Sequence, residues 1–182
     1  MQNIELGEAY VFPKIDWTNG TVWFSDGEVR AGSRSRQLSA ESDNAGFYKY
    51  VTSDRRFRAF LDGHSDYRLF GEWLVPHSLR TYKDVAWRRF YIFDVVVDTE
   101  EEYTYLPYNV YKPMLEAYDL DYIPAIAVIR NGSYEQFVYQ LQKNVFLVQD
   151  GNVQMDRIAM TGDEETIFDD AVFHRHQLHQ AA

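Results

Sequence analysis

The apolar positions of this chain first alternate with polar ones, then fall at helical spacing, then alternate again. Tyr10-Val11-Phe12 reads as a short strand. Thr21-Val22-Trp23-Phe24 and Val29-Arg30-Ala31 read as two strands joined through Asp26-Gly27, a dipeptide that closes tight hairpins. Ser39 to Gly46 is small and polar, hence a loop. Phe47, Tyr50, Val51, Phe57, Phe60 and Leu61 fall at near-helical spacing with basic residues between them. That pattern predicts one or two short amphipathic helices, ending at Asp62-Gly63. Tyr67 to Val75 is a mostly apolar strand with Glu72 inside it. Pro76 to Ala86 is loop-like, and the aromatic and β-branched run Trp87 to Val97 predicts a central strand.

Leu106-Pro107-Tyr108 opens a helix, with Val110, Met114, Leu115 and Tyr118 on one face. Tyr122 to Ile129 predicts a strand stopped by Asn131-Gly132. Ser133 caps a further helix that turns Tyr134, Phe137, Val138 and Leu141 inward. Val145 to Val148 predicts a last short strand. With no internal repeat and no linker-like stretch, the pattern gives one α+β domain over residues 1–151, followed by a diverged or poorly ordered tail over 152–182.

Composition narrows the classes. The 182 residues are 46% hydrophobic and 25% charged, a globular balance with room for one real core. No apolar run approaches the roughly 20 residues that span a bilayer, and Met1 to Glu5 has neither the basic nor the apolar part of a secretory signal. Cysteine is absent, which excludes disulfides, thiolate zinc sites and cysteine nucleophiles and fits a cytoplasmic protein. The net charge of −10 opposes nucleic-acid binding until it is mapped. Residues 1–97 hold 13 acidic and 13 basic side chains, and residues 98–182 hold 15 and 5. Phosphate-binding arginines can therefore cluster in the first half, among Arg30, Arg34, Arg36, Arg55, Arg56 and Arg58. His174, His176 and His179 lie in a polar terminal stretch and read as tail rather than metal cluster.

One segment carries candidate chemistry. Lys14-Ile15-Asp16-Trp17-Thr18-Asn19-Gly20 follows the first strand, so its lysine is held by regular backbone yet reachable from solvent. A free lysine amine, with a pKa near 10.4, is protonated at neutral pH and becomes a nucleophile only where its surroundings favour the neutral form. Asp-Trp-Thr-Asn-Gly is also good turn chemistry in its own right. Glu72, a carboxylate among Leu69, Phe70, Trp73, Leu74 and Val75, needs a partner or a task.

Four strings in order extend this: the lysine segment, Arg30-Ala31-Gly32-Ser33-Arg34-Ser35-Arg36, Phe70-Gly71-Glu72-Trp73, and Phe90-Tyr91-Ile92-Phe93-Asp94. From about Tyr10 to Gly151 the chain resembles the RNA ligase family of covalent nucleotidyltransferases, in its phage-type, double-strand-sealing branch. The resemblance implies antiparallel sheets flanked by helices, a nucleotidyltransferase (ATP-grasp-like) domain with ATP in its cleft. It implies Lys14 as the residue that takes AMP from ATP and passes it to an RNA 5′-phosphate, before a 3′-hydroxyl seals the nick. It assigns Asp16, Asn19, Glu72 and Phe93 to the nucleotide, Phe93 as the ring that stacks on adenine. Arg34, with Arg36 as its rival, would contact substrate phosphates. Asp94 and Asp156 are candidate metal or structural carboxylates for Mg2+ or Mn2+.

Two departures accompany the likeness. Trp17 stands where the family usually has glycine. The family's Glu-Gly-Ile-Val-Ile-Lys and later lysine strands find only Asp156-Arg157-Ile158-Ala159-Met160, and no lysine follows Lys143. The expectation is a domain incomplete at its C-terminal side. It is then an impaired ligase, a non-catalytic nucleotide- or RNA-binding remnant, or one part of a split ligase whose second chain supplies those strands.

Overall fold

The computed structural model describes residues 8–15, 17–76, 82–142 and 146–147. Seven strands and four helices alternate along the described chain: β1 (Glu8–Val11), β2 (Thr18–Ser25), β3 (Glu28–Ser33), α1 (Phe47–Ser53), α2 (Arg55–Gly63), β4 (Tyr67–Leu74), β5 (Arg89–Asp98), β6 (Tyr103–Tyr105), α3 (Tyr108–Ala117), β7 (Ala127–Arg130) and α4 (Tyr134–Gln142). An antiparallel sheet in the order β3-β2-β4-β5-β6 carries most of the fold, and β1 and β7 form a separate two-stranded antiparallel ribbon. The α+β architecture with antiparallel sheets and flanking helices is the one the sequence predicts.

The hairpin β2–β3 turns at Asp26 and Gly27, both at positive φ (54° and 76°), as a tight primed turn demands. On one face of the large sheet Val22, Leu69, Trp73, Phe90, Ile92 and Val95 pack with Phe47, Val51, Phe57, Phe60 and Leu61 from α1 and α2. Phe47 meets Phe90 at 4.8 Å between ring centroids, and Tyr50 meets Trp73 at 4.8 Å. Rings this close add to the burial term with a geometric one, of about 0.5–1.5 kcal/mol per pair.

Local chemistry sets the helix ends. Asp43 accepts the backbone N–H groups of Tyr48 (2.8 Å) and Lys49 (3.2 Å), satisfying donors that α1 cannot bond internally. Asp54 ends α1 in extended conformation and caps α2, accepting the Arg56 N–H at 2.9 Å and the Arg56 guanidinium at 2.7 Å. Ser133 and Gln136 form a reciprocal capping box at the start of α4.

Asp54 yields a pH prediction. Burial opposes its charge, yet the side-chain and backbone hydrogen bonds from Arg56 prevail and hold the carboxyl below its usual range. A carboxyl depressed in the folded state stabilises that state above its unfolded value and loses the contribution as pH falls through the folded one. Asp54→Ala should therefore cost about 1 kcal/mol at neutral pH. The gap between variant and parent in urea midpoint should close below about pH 4, the unfolded carboxyl value. A gap that persists undiminished at pH 2 would show that the cap does not act through its charge.

Several elements differ from their sequence expectation. The turn read over Asp16 to Gly20 is cut short, because Thr18, Asn19 and Gly20 already belong to β2. The inner face of α3 is Tyr108, Tyr111 and Leu115, while Val110 points to solvent at 43% exposure. The strand expected from Tyr122 shrinks to Ala127–Arg130, Tyr122 making only an isolated parallel bridge to Ile92. Phe146 and Leu147 form a turn rather than a strand. β6 had no signal of its own in three residues. Residues 152–182 lie outside the described residues.

Candidate functional site

The motif residues meet because strand pairing sets them side by side. Asn19 on β2 stands opposite Glu72 on β4, and Glu72 stands opposite Tyr91 on β5. Directly opposed residues on neighbouring strands share a face, so Asn19, Glu72 and Tyr91 make one row across the sheet, on the side away from α1 and α2. Ser33, the last residue of β3, opposes Gly20 and so sits at the same end of the sheet.

Lys14 is exposed, between the buried Pro13 and Ile15. Ile15 packs with Leu74, Tyr82, Tyr91 and Ile123, and β1 ties the other side of the segment to β7. Trp17 stands edge-on to Tyr82 and Trp87, at 6.3 and 5.5 Å between centroids. The tryptophan that departs from the family's glycine thus anchors the lysine segment into an aromatic cluster. Asp16 and Asp156 lie outside the described residues.

Glu72 is 8% exposed, the buried charged residue among the described residues, and its Oε2 is shielded from solvent. Gly20 and Gly71, paired beside it, permit close packing instead of turns: a Cβ on Gly20 would lie 2.5 Å from the Phe47 ring, and one on Gly71 would overlap the Tyr91 carbonyl oxygen. Tyr91 is buried, its hydroxyl donating to the Ala86 carbonyl at 3.3 Å, and burial raises its pKa to about 12.

Phe93 is the extra residue of a β-bulge. Phe70 pairs with Asp94 and Gly71 with Ile92, so Phe93 is the residue inserted where the register shifts. Its half-buried ring packs with the cluster on the Glu72 side of the sheet. Bulges re-aim side chains and concentrate at functional sites. Asp94, half-buried, is aligned with Phe70.

The arginines separate by geometry. Ser33 N–H donates to the Arg36 carbonyl at 2.8 Å, so Arg34 and Ser35 form the tip of a tight turn beyond β3. Arg36 folds back onto Ser42 and Asp43, bonding their carbonyls and the Ser42 hydroxyl. Arg34 is exposed and, among the described residues, makes no hydrogen bond or ion pair. Arg30 pairs with Asp26 and Glu28, Arg56 with Asp54 and Asp119, and Arg58 with Asp62. Among the described residues, no group of three or more metal-ligating side chains occurs and no helix is long and apolar enough to cross a membrane.

A cleft of about 370 Å3 opens beside this row, lined by Arg89, Tyr91, Asp121, Tyr122 and Phe146 among others. It shares Tyr91 with the row but excludes Lys14, Glu72 and Phe93, and the Arg89–Asp121 ion pair forms part of its wall. Sequence reasoning passed over Tyr91 as one more strand aromatic; its position opposite Glu72 is visible only from the register.

The fold has known counterparts. It is similar to Naegleria gruberi RNA ligase solved with pyrophosphate, at a TM-score of 0.58 and 16% identity, over 75% of this chain and 41% of that one. Variants of that ligase solved with AMP and manganese (TM-score 0.59, 16% identity, 72% and 40% covered) and with ATP and manganese (0.57, 18%, 71% and 39%) give the same picture. The chain spans about two fifths of the length of these structures. No curated protein matches it. Residues 7–163 match the family described as RNA ligase. That match takes in every described residue, from the lysine segment to the turn after α4, and the chain belongs to the RNA ligase family.

Proposed function

We propose that this chain is the ATP-binding adenylyltransferase part of an RNA ligase, with Lys14 as its nucleophile. The observation that carries the reading is the placement of an exposed lysine, on an anchored segment, just ahead of the strand whose Asn19 faces the buried Glu72. The Nζ lone pair of Lys14 attacks the α-phosphorus of ATP. The P–N bond forms, the bond to the bridging oxygen breaks, and pyrophosphate leaves with the electron pair while the amine releases its proton. An RNA 5′-phosphate oxygen then attacks the same phosphorus and frees Lys14. A 3′-hydroxyl across the nick displaces AMP and seals the strand. Each step depends on in-line placement and charge neutralisation.

The residues fit a nucleotide. Glu72 offers a carboxylate acceptor for a ribose hydroxyl, Phe93 a ring for adenine, and Asn19 a polar group opposite Glu72, while the assignment of Asp16 rests on the sequence alone. Exposure of Arg34 at its turn tip supports it as the arginine for RNA phosphates, whereas Arg36 is engaged with its own loop. A divalent ion, magnesium or manganese, supplies positive charge against the triphosphate when bound. Held mainly by phosphate and water, it needs only one or two carboxylates, and Asp94 is the candidate among the described residues.

Incubating the chain with ATP labelled at the α-phosphorus and magnesium should yield an acid-labile AMP adduct on the protein. Folded protein that forms no adduct at millimolar ATP would remove the reading of an autonomous enzyme. A second reading, a nucleotide- or RNA-binding module without catalysis, is favoured by Asp156-Arg157-Ile158-Ala159-Met160 standing where the family carries Glu-Gly-Ile-Val-Ile-Lys. It predicts binding of nicked duplex that weakens with salt, with no covalent product.

A further inference from the structure

From Ile92 onward, the outer edge of β5, facing away from β4, is bonded by segments that follow it in the chain. Ile92 accepts the Ile123 N–H at 2.8 Å and donates to the Asp121 carbonyl at 3.0 Å. The Val95 carbonyl accepts the Leu106 N–H at 2.8 Å, and β6 pairs with Val96 to Asp98. Between them lies the bulged Phe93, and there a side chain replaces backbone: the Tyr111 hydroxyl donates to the Phe93 carbonyl at 2.8 Å. Tyr111 is 2% exposed, and burial raises its pKa far above neutrality, so it stays a donor throughout the working pH range. The same helix reaches the other half of the site. Tyr108, one turn earlier on α3, meets Phe12 edge-on at 5.0 Å between centroids, two residues ahead of Lys14, and its hydroxyl accepts the Ala125 N–H at 3.1 Å.

We propose that Tyr111 is a positioning residue for nucleotide recognition: by holding the Phe93 carbonyl it fixes the β5 bulge, and with it the ring offered to adenine. The proposal rests on the reading of Phe93 given above. A bulge interrupts the regular ladder and bends its strand, so a buried hydrogen bond to the bulged residue's carbonyl helps set the local backbone. A ring held in place before the ligand arrives spares the cost of ordering it on binding. Loss of the hydroxyl should therefore act on the base and not on the phosphates.

The test compares ATP with inorganic triphosphate, each titrated calorimetrically into the full chain with magnesium. Tyr111→Phe should weaken ATP about tenfold, the size expected when a buried carbonyl loses its donor, and leave inorganic triphosphate within about twofold of the parent. Tyr108→Phe also removes a buried hydrogen bond, so it should lower the melting temperature without changing the ratio of the two affinities. Phe93→Ala should reduce that ratio at least as much as Tyr111→Phe. If Phe93→Ala lowers the ratio and Tyr111→Phe does not, the positioning role is overturned and the stacking role stands. If Phe93→Ala leaves the ratio unchanged, the stacking role falls and the proposal with it. A measurement without mutation covers the case of an unfolded variant: the carbonyl 13C resonance of Phe93 should move on adding ATP but not inorganic triphosphate, and identical responses would overturn the proposal.

Discussion

Replacing Lys14 by alanine should abolish the covalent AMP adduct while leaving the protein folded and able to bind ATP. The side chain is exposed on a segment whose anchoring comes from its neighbours, Pro13 and Ile15, so truncation should change stability by about 0.5 kcal/mol or less. ATP affinity should fall by about tenfold at most, the ~1.4 kcal/mol of one charge contact. Adduct formation should drop below detection, because no other group would supply the nitrogen that bonds to phosphorus. Lys14→Arg separates charge from nucleophilicity. A guanidinium keeps the positive charge but never frees a lone pair at working pH, so it should restore ATP binding without restoring the adduct. Gel detection of labelled protein, with ATP titration alongside, reads both. An adduct that survives Lys14→Arg would place the nucleophile elsewhere.

Gly71→Ala should destabilise the fold strongly, by about 3 kcal/mol. Its Cβ would overlap the Tyr91 carbonyl oxygen and come within 2.7 Å of the Phe90 ring. Neither can yield. The carbonyl is backbone, and Phe90 is fully buried, wedged 4.8 Å from Phe47 and 6.2 Å from Phe57 between centroids. Relief requires β5 to move off β4 at the bulge, which overpacking penalties of about 1–3 kcal/mol and broken ladder bonds together describe. Gly20→Ala meets buried ring atoms of Phe47 at 2.5 Å and of Phe90 at 3.0 Å but no backbone atom as close, and should cost less because Gly71 adds a backbone overlap to its ring contact. Urea unfolding should show a lower midpoint with unchanged slope for both, in that order. A Gly71→Ala protein within 0.5 kcal/mol of the parent would contradict the close approach of β4 to β5. The same substitution should displace Phe93 and weaken ATP along with stability.

What the sequence discloses and what it hides follow from the range of the forces involved. The hairpin at Asp26-Gly27 is legible because its backbone angles are a local demand of two residues. Glu72 is legible because a carboxylate in an apolar strand contradicts its surroundings. The capping of α4 by Ser133 is likewise local. The bulge at Phe93 is hidden, because alternation along β5 reads as unbroken until β4 is paired against it. Tyr111 is hidden because Val110 and Met114 fit the helical spacing as well, and its partner is 18 residues away. Arg34 and Arg36 differ by two positions in one polar run. Only the turn between Ser33 and Arg36 shows that the second arginine is engaged and the first projects. The reading of Thr18 to Gly20 as a turn failed for a related reason: Gly20 suits a turn, but here it makes space for Phe47 beneath a strand.

The β1–β7 ribbon bears on how the molecule assembles. Glu8 and Arg130, joined by an ion pair at 2.8 Å, are 122 residues apart in the chain. The pairing that secures one side of the lysine segment therefore closes the longest loop among the described strands, with the entropy cost that distant closure carries. The β2–β3 hairpin joins neighbours, and β4 and β5 add to it across far shorter spans. Contacts of low sequence separation form early and distant ones late. A chain emerging from the ribosome thus acquires Asn19, Glu72 and Phe93 as a finished platform before residue 130 exists to hold Lys14 against it. Tethering of the lysine segment is the last of these steps, and a nascent chain halted before β7 would carry the platform with Lys14, the proposed nucleophile, still untethered on one side.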